Sequence, residues 1–375
     1  MRSLRLQEET AAVQSRPTIT SMRMLNRDVQ SARMVVLLLI GGLLLLPAGA
    51  KADYIFQNVV STGDPTFNQE LGINNAGTIA GYFGSGAPNG TPPPFTLTPN
   101  SGYTVAPPYK SASFTSENFP GSGQTQVTDI NNGGVTVGFY ADSNGATTPN
   151  FFGFVDNAGT FTSVNDLSTP TTGPTTNQLL GVNDSDVAAG FYVDGSGNSH
   201  GYTYNIGSQT FTGITLPGSD GATSVTATGI NNAGEVIGFF LNGSGATEGF
   251  LDNGGTFTTL DAFGSSNTMA LGINNNGQIV GVYVDGAGNN NGFVYSIATG
   301  KFITVDDPSA VLTNGGTTIN GINDKGQLVG FYGDANGNTI GLLADPVPEP
   351  ASLVLLGTGM ALMFIRSKKA SRRPF

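Results

Sequence analysis

The side chains best placed to do chemistry in this chain are carboxylates and carboxamides in short glycine-rich loops. Two such loops read Asp142-Ser-Asn144-Gly and Asp334-Ala-Asn336-Gly. Oxygen atoms at alternate positions are the ligands that Ca²⁺ prefers, so Asp142, Asn144, Asp334 and Asn336 are candidate calcium ligands. No acidic residue stands at the closing position of an EF-hand loop, however, and hairpin turns use the same residues without an ion. The pattern therefore favours turns and leaves a weak calcium site as the alternative.

Catalytic chemistry has few candidates in this composition. The chain contains one histidine, His200, and no cysteine, which excludes thiolate chemistry and multi-histidine metal sites and argues against a serine–histidine triad. Carboxylate pairs at Asp184/Asp186 and Asp306/Asp307 are of the kind that a glycosidase uses. Nothing in the sequence brings two carboxylates together. We therefore predict no catalytic and no cofactor-binding residues, and a structural role for the histidine.

A hexapeptide that begins Gly-Ile-Asn-Asn in its clearest copies recurs six times. The copies occupy residues 72–77, 129–134, 181–186, 229–234, 272–277 and 321–326. The side chain of the first asparagine can bond the backbone two residues on, and the last glycine supplies the positive φ of a short hairpin. Asp186 replaces that glycine in the third copy. The hexapeptide is thus predicted to be a corner between two strands, not a binding site.

The segments around each corner predict an all-β fold. Each repeat holds four short β-rich runs separated by turn residues, and the repeats are 43 to 57 residues apart. Four strands in that length are typical of a propeller blade. The glycine that recurs in the second run, first at Gly81, indicates close approach of a neighbouring backbone.

The two ends of the repeat region predict that the ring is closed. The sixth repeat lacks a fourth run, and Tyr54–Val60 resembles one. We therefore predict a six-bladed β-propeller over residues 53–346, closed by pairing of Tyr54–Val60 with Gly341–Ala344. Closure removes two exposed sheet edges.

The repeat resembles the extracellular HAF repeat family over most of residues 54–345. The family's characteristic triplet is degraded here: Gly153-Phe154, His200-Gly201-Tyr202, Gly249-Phe250 and Gly292-Phe293 stand at the matching places. The resemblance implies secreted, β-rich repeats, and it transfers no catalytic residue.

The charge distribution restricts the partners. Between Asp53 and Glu349 the chain has 23 acidic residues against three lysines, and it has no arginine there. Such an acidic surface is repelled by phosphate backbones, so we expect no nucleic-acid partner. It is typical of solubility outside the cell.

The first 52 residues are predicted to be a signal peptide with a basic leader. Six arginines precede an apolar run at 34–46, and small residues follow as Ala48-Gly-Ala50 and Ala50-Lys-Ala52. A basic region, a short apolar segment and an Ala-x-Ala site are the parts of a secretory signal. Cleavage after Ala50 or Ala52 would start the mature chain near Asp53.

Residues 347–375 resemble the PEP-CTERM sorting signal of exported Gram-negative proteins. The motif Val347-Pro348-Glu349-Pro350 is followed by an apolar segment at 351–365, predicted to be a helix, and by a cluster of Arg and Lys. The resemblance implies export, transient anchoring in the inner membrane and processing by an exosortase. A plain C-terminal anchor is the alternative.

These features predict an exported, non-catalytic surface or matrix protein. It would be an interaction scaffold for polysaccharide or for another surface protein, linked to exopolysaccharide and biofilm. The alternative is a glycan-active enzyme, a hydrolase or lyase, that uses loop carboxylates at the mouth of the propeller.

Overall fold

The fold is taken from a computed structural model of the chain. It describes residues 54–85, 99–142, 150–166, 168–169, 175–216, 222, 224–265 and 267–347. The predicted signal peptide, the calcium candidate Asn144, the sorting residues Pro348, Glu349 and Pro350, and the C-terminal apolar segment lie outside these ranges. Val347 is the last described residue.

The described chain forms six antiparallel sheets of four strands each. We name them blades 1 to 6 in chain order. Blade 1 contains β2 (Asn68–Ile73), β3 (Ile79–Phe83), β4 (Ser101–Val105) and β5 (Phe114–Ser116). Blade 2 contains β6 (Gln124–Ile130), β7 (Thr136–Ala141), β8 (Phe151–Asn157) and β9 (Thr160–Val164). Blade 3 contains β10 (Asn177–Val182), β11 (Val187–Val193), β12 (Ser199–Asn205) and β13 (Thr210–Gly213).

The second half of the ring has the same strand order. Blade 4 contains β14 (Ser224–Ile230), β15 (Val236–Leu241), β16 (Thr247–Asn253) and β17 (Thr256–Leu260). Blade 5 contains β18 (Thr268–Ile273), β19 (Gln278–Val284), β20 (Asn290–Ser296) and β21 (Lys301–Thr304). Blade 6 contains β22 (Thr317–Ile322), β23 (Leu328–Gly333), β24 (Thr339–Pro346) and β1 (Tyr54–Asn58). Single 3₁₀ turns lie at Ser111–Ser113, Ala262–Gly264 and Leu312–Asn314.

The first strand of the described chain completes the last blade, as the sequence predicts. β1 runs antiparallel to β24, with Tyr54 opposite Pro346 and Asn58 opposite Leu342. The backbone N–H of Val59 extends the pairing by donating to the carbonyl of Gly341 at 2.8 Å. The prediction of a six-bladed propeller closed by an N-terminal strand is confirmed.

Every blade has a β-bulge in its first strand, which the sequence does not predict. In blade 1 the register shifts between Glu70 and Gly72, and the other five blades shift at the matching place. The recurring glycine of the second strand lies opposite this irregularity. A Cβ at Gly81 would overlap the carbonyl oxygen of Gln69. The predicted close backbone approach is confirmed, and its cause is the bulge.

The core lies mainly between neighbouring blades. One apolar cluster joins Tyr103 and Ile79 of blade 1 to Val329 and Leu343 of blade 6, with Val59 between them. The apolar residue of each corner contributes to such clusters, and five of the six are less than 9 % exposed. Packing between blades holds the first strands around a common axis, which places the six corners together.

Candidate functional site

The corners share one hydrogen-bonding geometry. In the first corner, Oδ1 of Asn74 accepts the backbone N–H groups of Ala76 and Thr78, both at 3.0 Å. Gly77 has φ of +84°, as a glycine that closes such a turn requires. Asp186, which replaces this glycine in blade 3, has φ of +55°. The prediction of a corner is confirmed.

The first asparagine of each corner also bonds the next blade. These residues are Asn74, Asn131, Asn183, Asn231, Asn274 and Asn323, and all are buried. The Nδ2 of each donates to the backbone carbonyl of the next one around the ring, at 3.0 to 3.4 Å. The last bond runs from Asn323 back to Asn74, so the six side chains form a closed ring. The hexapeptide therefore forms a corner within its own blade and also hydrogen-bonds the next blade.

The fourth residue of each hexapeptide, which follows the buried asparagine, forms another closed ring, which we call the polar ring. Its members are Asn75, Asn132, Asp184, Asn232, Asn275 and Asp324. The backbone N–H of each donates to the side-chain oxygen of the next at 2.7 to 2.9 Å. Four of the six residues are exposed, and Asn75 and Asp324 are half-buried. The polar ring surrounds one mouth of the central channel.

The two carboxylates of the polar ring belong to blades 3 and 6, which are three blades apart. Oδ2 of Asp184 accepts the amide groups of Asn132 and Asn232 at 2.8 and 2.7 Å. Oδ2 of Asp324 likewise accepts those of Asn275 and Asn75. Burial alone would raise the pKa of both carboxyls, but the amide donors outweigh it, and the pKa of each lies below its usual value. Both are ionised at neutral pH.

The polar ring and the residues behind it line a cavity of about 80 Å³. Leu71, Leu180 and Leu271 line it at the bulges of blades 1, 3 and 5. Blades 2, 4 and 6 carry Thr128, Thr228 and Asn320 there, and each donates a hydrogen bond to a backbone carbonyl of the next blade. Leucines and inter-blade donors thus alternate around the axis.

One carboxyl lies inside the channel wall. Asp129 stands where the other five blades have glycine, and its oxygens accept the backbone N–H groups of Val182 and Ile130, both at 2.9 Å. Burial raises its pKa to about 7, against the effect of these two donors. A carboxyl of this kind exchanges its proton near neutral pH.

A second buried carboxyl lies at the seam between blades 1 and 6. Glu70 has no exposed surface and stands where the other blades carry Val, Leu, Ala or Ile. The hydroxyl of Tyr103 donates to its Oε1 at 2.6 Å, while Oε2 has no hydrogen-bond partner in the described part of the chain. Burial raises the pKa of Glu70 to about 8, and the Tyr103 hydroxyl offsets this only in part.

A carboxyl pair lies between blades 1 and 2. Glu117 follows β5 and accepts the hydroxyl of Thr136, and Asp156 of β8 is close enough to hydrogen-bond with it. Burial, and secondarily the Asp156 carboxyl, raise the pKa of Glu117 to about 7. Their contact could not be predicted from the sequence, because Glu117 follows a strand of blade 1 and Asp156 lies in blade 2.

Asp142 and Asp334 lie at the other end of the blades from the corners, and the described loop at Asp334 has the same turn geometry as the corners. Oδ1 of Asp334 accepts the backbone N–H groups of Asn336 and Asn338, both at 2.8 Å, and Oδ2 accepts the amide of Asn338. Asp142 accepts the amide of Asn150 at 2.7 Å. Within the described ranges, no three His, Asp or Glu side chains are grouped to hold a metal. A weak calcium site at these loops stays a prediction.

The remaining sequence candidates are separate from the polar ring. His200 lies on β12, bonds Oδ2 of Asp194 at 2.8 Å and stacks on Tyr192 with ring centroids 5.0 Å apart. The bond from His200 is the main reason that the pKa of Asp194 is lowered to about 2. Asp307 caps a turn by accepting the backbone N–H of Ser309.

Sequence reasoning missed both rings, although one signal was present. The fourth residue of the hexapeptide is Asn or Asp in all six copies, whereas the fifth residue varies between Ala, Gly, Ser, Asn and Lys. The turn requires an Asn or Asp oxygen at its first residue and a positive φ at its last, but it does not require a carboxamide or carboxylate at the fourth residue of the hexapeptide. That restriction indicates a bond outside the turn.

Comparison with protein families identifies the C-terminal segment. Residues 346–369 match the PEP-CTERM protein-sorting motif. The chain therefore carries a sorting signal of exported Gram-negative proteins, which are directed to the surface or the membrane and processed by an exosortase, and the prediction of this motif is confirmed. In the described part of the chain, no helix has the length and apolar character needed to cross a membrane. No curated protein sequence matches the chain.

The fold is similar to solved β-rich structures at low sequence identity. TolB from Acinetobacter baumannii is 12 % identical with a TM-score of 0.44; the match covers 66 % of this chain and 60 % of TolB. A putative TolB from Agrobacterium tumefaciens is 12 % identical with a TM-score of 0.48, covering 80 % and 100 %. Trypanosoma rangeli sialidase is 10 % identical with a TM-score of 0.45, covering 86 % and 63 %. Similarity at this level says nothing about activity or ligands.

Proposed function

We propose that this chain is an exported, non-catalytic interaction scaffold of the cell surface or extracellular matrix, linked to exopolysaccharide and biofilm. The sorting motif carries the proposal. Its match begins at Pro346, the last residue of β24. The sorting segment thus follows directly on a strand that closes the ring, so that its removal would leave all six blades with four strands.

The state of the carboxylates in the polar ring supports binding rather than catalysis. A glycosidase needs one protonated and one ionised carboxyl across its substrate. Asp184 and Asp324 both have a lowered pKa, and both already accept amide donors. At the channel mouth these two residues therefore supply a fixed negative charge and no general acid.

The partners in this proposal are an exosortase and a polysaccharide or another surface protein. The acidic region between Asp53 and Glu349 favours partners that are neutral or positively charged. The resemblance to HAF repeats agrees with an extracellular location and remains part of the proposal. The predicted signal peptide would start the export, and the C-terminal apolar segment would anchor the chain to the inner membrane transiently.

The test is localisation of the full chain in a Gram-negative host that has an exosortase. We expect the protein on intact cells and in the polysaccharide fraction, detected with an antibody against the propeller. Glu349→Ala, within the sorting motif, should keep the protein cell-associated and unprocessed, as should deletion of the exosortase. Retention of the wild-type chain in the cytoplasm, or its absence from the polysaccharide fraction, would refute the proposal.

The alternative function is that of a glycan-active enzyme, and the carboxyl pair of Glu117 and Asp156 is the observation that favours it. For Glu117, a pKa of about 7 with a second carboxyl beside it suits general acid–base catalysis. A turnover screen of the full chain on polysaccharides would test this alternative, with Glu117→Gln as the inactive control. Release of reducing ends that this variant abolishes would replace the scaffold proposal.

A further inference from the structure

A groove separates blade 2 from blade 3 and takes no part in the rings of the channel. Its cavity measures about 450 Å³, which falls in the range of roughly 300–1,000 Å³ found for small-molecule clefts. Buried Val155, Val164 and Tyr204 contribute to its lining, together with exposed Thr160 and Thr162. No charged side chain belongs to the lining in the described part of the chain. The groove thus combines an apolar floor with neutral polar walls.

Two polar side chains of the lining bear on what it could bind. Tyr204, a member of the lining, is only 5 % exposed. Gln209, in the turn after β12, has φ of +55°, a conformation that is strained for a long side chain. Blade 5 has Gly300 at the same turn position, with φ of +64°. Strain that is retained where glycine would relieve it is a reason to look for function.

The matching place between blades 4 and 5 carries similar residues. Tyr295 matches Tyr204, and each packs against a phenylalanine with ring centroids 4.6 Å apart. The threonines match as well, as Thr256 and Thr258. The apolar residues differ, because Leu251 and Leu260 replace the two valines. Leucine is larger than valine, and Gly300 stands where blade 3 has Gln209, so the glutamine carboxamide is absent there.

We propose that the groove between blades 2 and 3 binds a neutral sugar residue, through the Tyr204 hydroxyl, the Gln209 carboxamide and the hydroxyls of Thr160 and Thr162. The proposal rests on the proposed function and names the ligand class and the site through which the scaffold would hold a polysaccharide.

The chemistry of the lining selects this ligand class. A sugar presents hydroxyls that donate and accept, and the lining offers hydroxyl and amide groups that do the same. Burial raises the pKa of Tyr204, so its hydroxyl stays neutral and can donate. The groove has no cation to pair with a uronic acid, and the acidic chain repels one. Neutral hexoses, deoxyhexoses and N-acetylhexosamines fit these conditions.

The experiment is saturation-transfer NMR on the full-length chain, solubilised in mild detergent, with methyl glycosides of neutral sugars and with methyl glucuronide as the charged comparison. The decisive variant is Val155→Leu with Val164→Leu, which fills the floor with the residues that blade 4 already uses. We expect binding of at least one neutral glycoside, weakened about tenfold or more by this double variant. Its thermal unfolding should stay close to that of the wild type, because the same side chains pack at the matching place.

Two single variants separate binding from folding. Gln209→Gly installs the residue of blade 5, so it should weaken sugar binding while leaving stability unchanged or raised, since the strained backbone is relieved. Thr162→Val removes one hydroxyl at constant shape and should also weaken binding. The matched control is Thr258→Val at the matching place between blades 4 and 5, which should leave binding unchanged.

The outcomes distinguish the groove from the wider function. If no neutral glycoside binds, or if the double variant binds as well as the wild type, the groove is not the sugar site. If the wild type and the double variant both remain in the polysaccharide fraction of cells, the groove proposal fails and the scaffold proposal stands. If the wild type binds a glycoside in vitro but never reaches that fraction, the scaffold proposal fails and the groove stands.

Discussion

At the scale of single residues, the chain places carboxyl groups in two opposite environments. Asp184 and Asp324 are surrounded by amide donors, which lower their pKa. Glu70 and Asp129 are buried with too few donors, which raises theirs to about 8 and about 7. Burial raises the pKa of a carboxyl and hydrogen-bond donors lower it, so the balance between the two sets each pKa.

We predict that Glu70→Gln reduces the pH dependence of stability. The pKa of Glu70 is near 4.5 in the unfolded chain and about 8 in the fold, so its contribution is fully present below pH 4.5 and is lost as the pH rises to 8. Within this window stability falls by about 1.4 kcal/mol per pH unit for such a group. Urea unfolding at pH 5, 7 and 9 should show a shallower decline in the variant. An equally steep decline would show that Glu70 is ionised in the fold.

We predict that Asp184→Asn destabilises the protein although it removes a charge from an acidic surface. In the variant, an NH₂ group would take the place of one carboxylate oxygen. That group cannot accept the hydrogen bonds that the amides of Asn132 and Asn232 donate to Asp184, so at least one hydrogen bond would be lost. The expected loss is about 1–2 kcal/mol in urea unfolding at pH 7. Ser185→Ala, at the exposed neighbouring position, is the control and should have no effect. A neutral or stabilising Asp184→Asn would mean that the polar ring contributes little.

At the scale of the element, hairpin turns at both ends of the blades share one hydrogen-bonding pattern. An Asn or Asp oxygen accepts two backbone N–H groups and a residue with positive φ closes the turn, as in Asn74 to Gly77 and Asp334 to Gly337. In the described loop at Asp334, the residues that suggested calcium ligands form such a turn. In the turn between β8 and β9 of blade 2, an alanine occupies a positive-φ position where blade 4 has glycine, and Ala158 has φ of +52°.

We predict opposite effects for two exchanged substitutions in matching turns. Ala158 and Gly254 occupy the same turn position in blades 2 and 4, with φ of +52° and +59°. Ala158→Gly should stabilise the protein by about 0.5–1 kcal/mol, and Gly254→Ala should destabilise it by a similar amount. Thermal unfolding of the two variants measures both. Shifts of the same sign would contradict the assignment of a left-handed conformation at this position.

The strands and the corners could be predicted from the sequence, because alternating apolar residues and Asn-Asn turns act over a few residues. The closure could be predicted because the sixth repeat lacks a fourth run and the first run of the repeat region can supply it. The rings could not, since a bond such as Asn323 to Asn74 joins residues 249 positions apart. The meeting of Glu117 with Asp156 and the groove at Val155 likewise depend on how neighbouring blades pack. These features follow from the closed ring and not from any one repeat.

At the scale of the whole molecule, closure connects the export signals to the fold. Tyr54 follows the predicted signal peptide, and the match to the sorting motif begins at Pro346. These two residues are paired across β1 and β24. The ring is therefore complete only when the first strand after the leader pairs with the last strand before the sorting segment. Both ends of the propeller leave blade 6 at the same end of the neighbouring strands β1 and β24.

The most direct test of this account is a disulfide across that closure. The chain has no cysteine, so Ile55→Cys with Asp345→Cys introduces a single pair at directly opposed positions of β1 and β24. Ile55→Cys with Ala344→Cys is the control, because neighbouring residues of a strand point to opposite faces. After mild oxidation, peptide mapping by mass spectrometry should find the first pair cross-linked and the control pair free. A first pair that stays reduced in a folded protein would contradict the closed six-bladed ring.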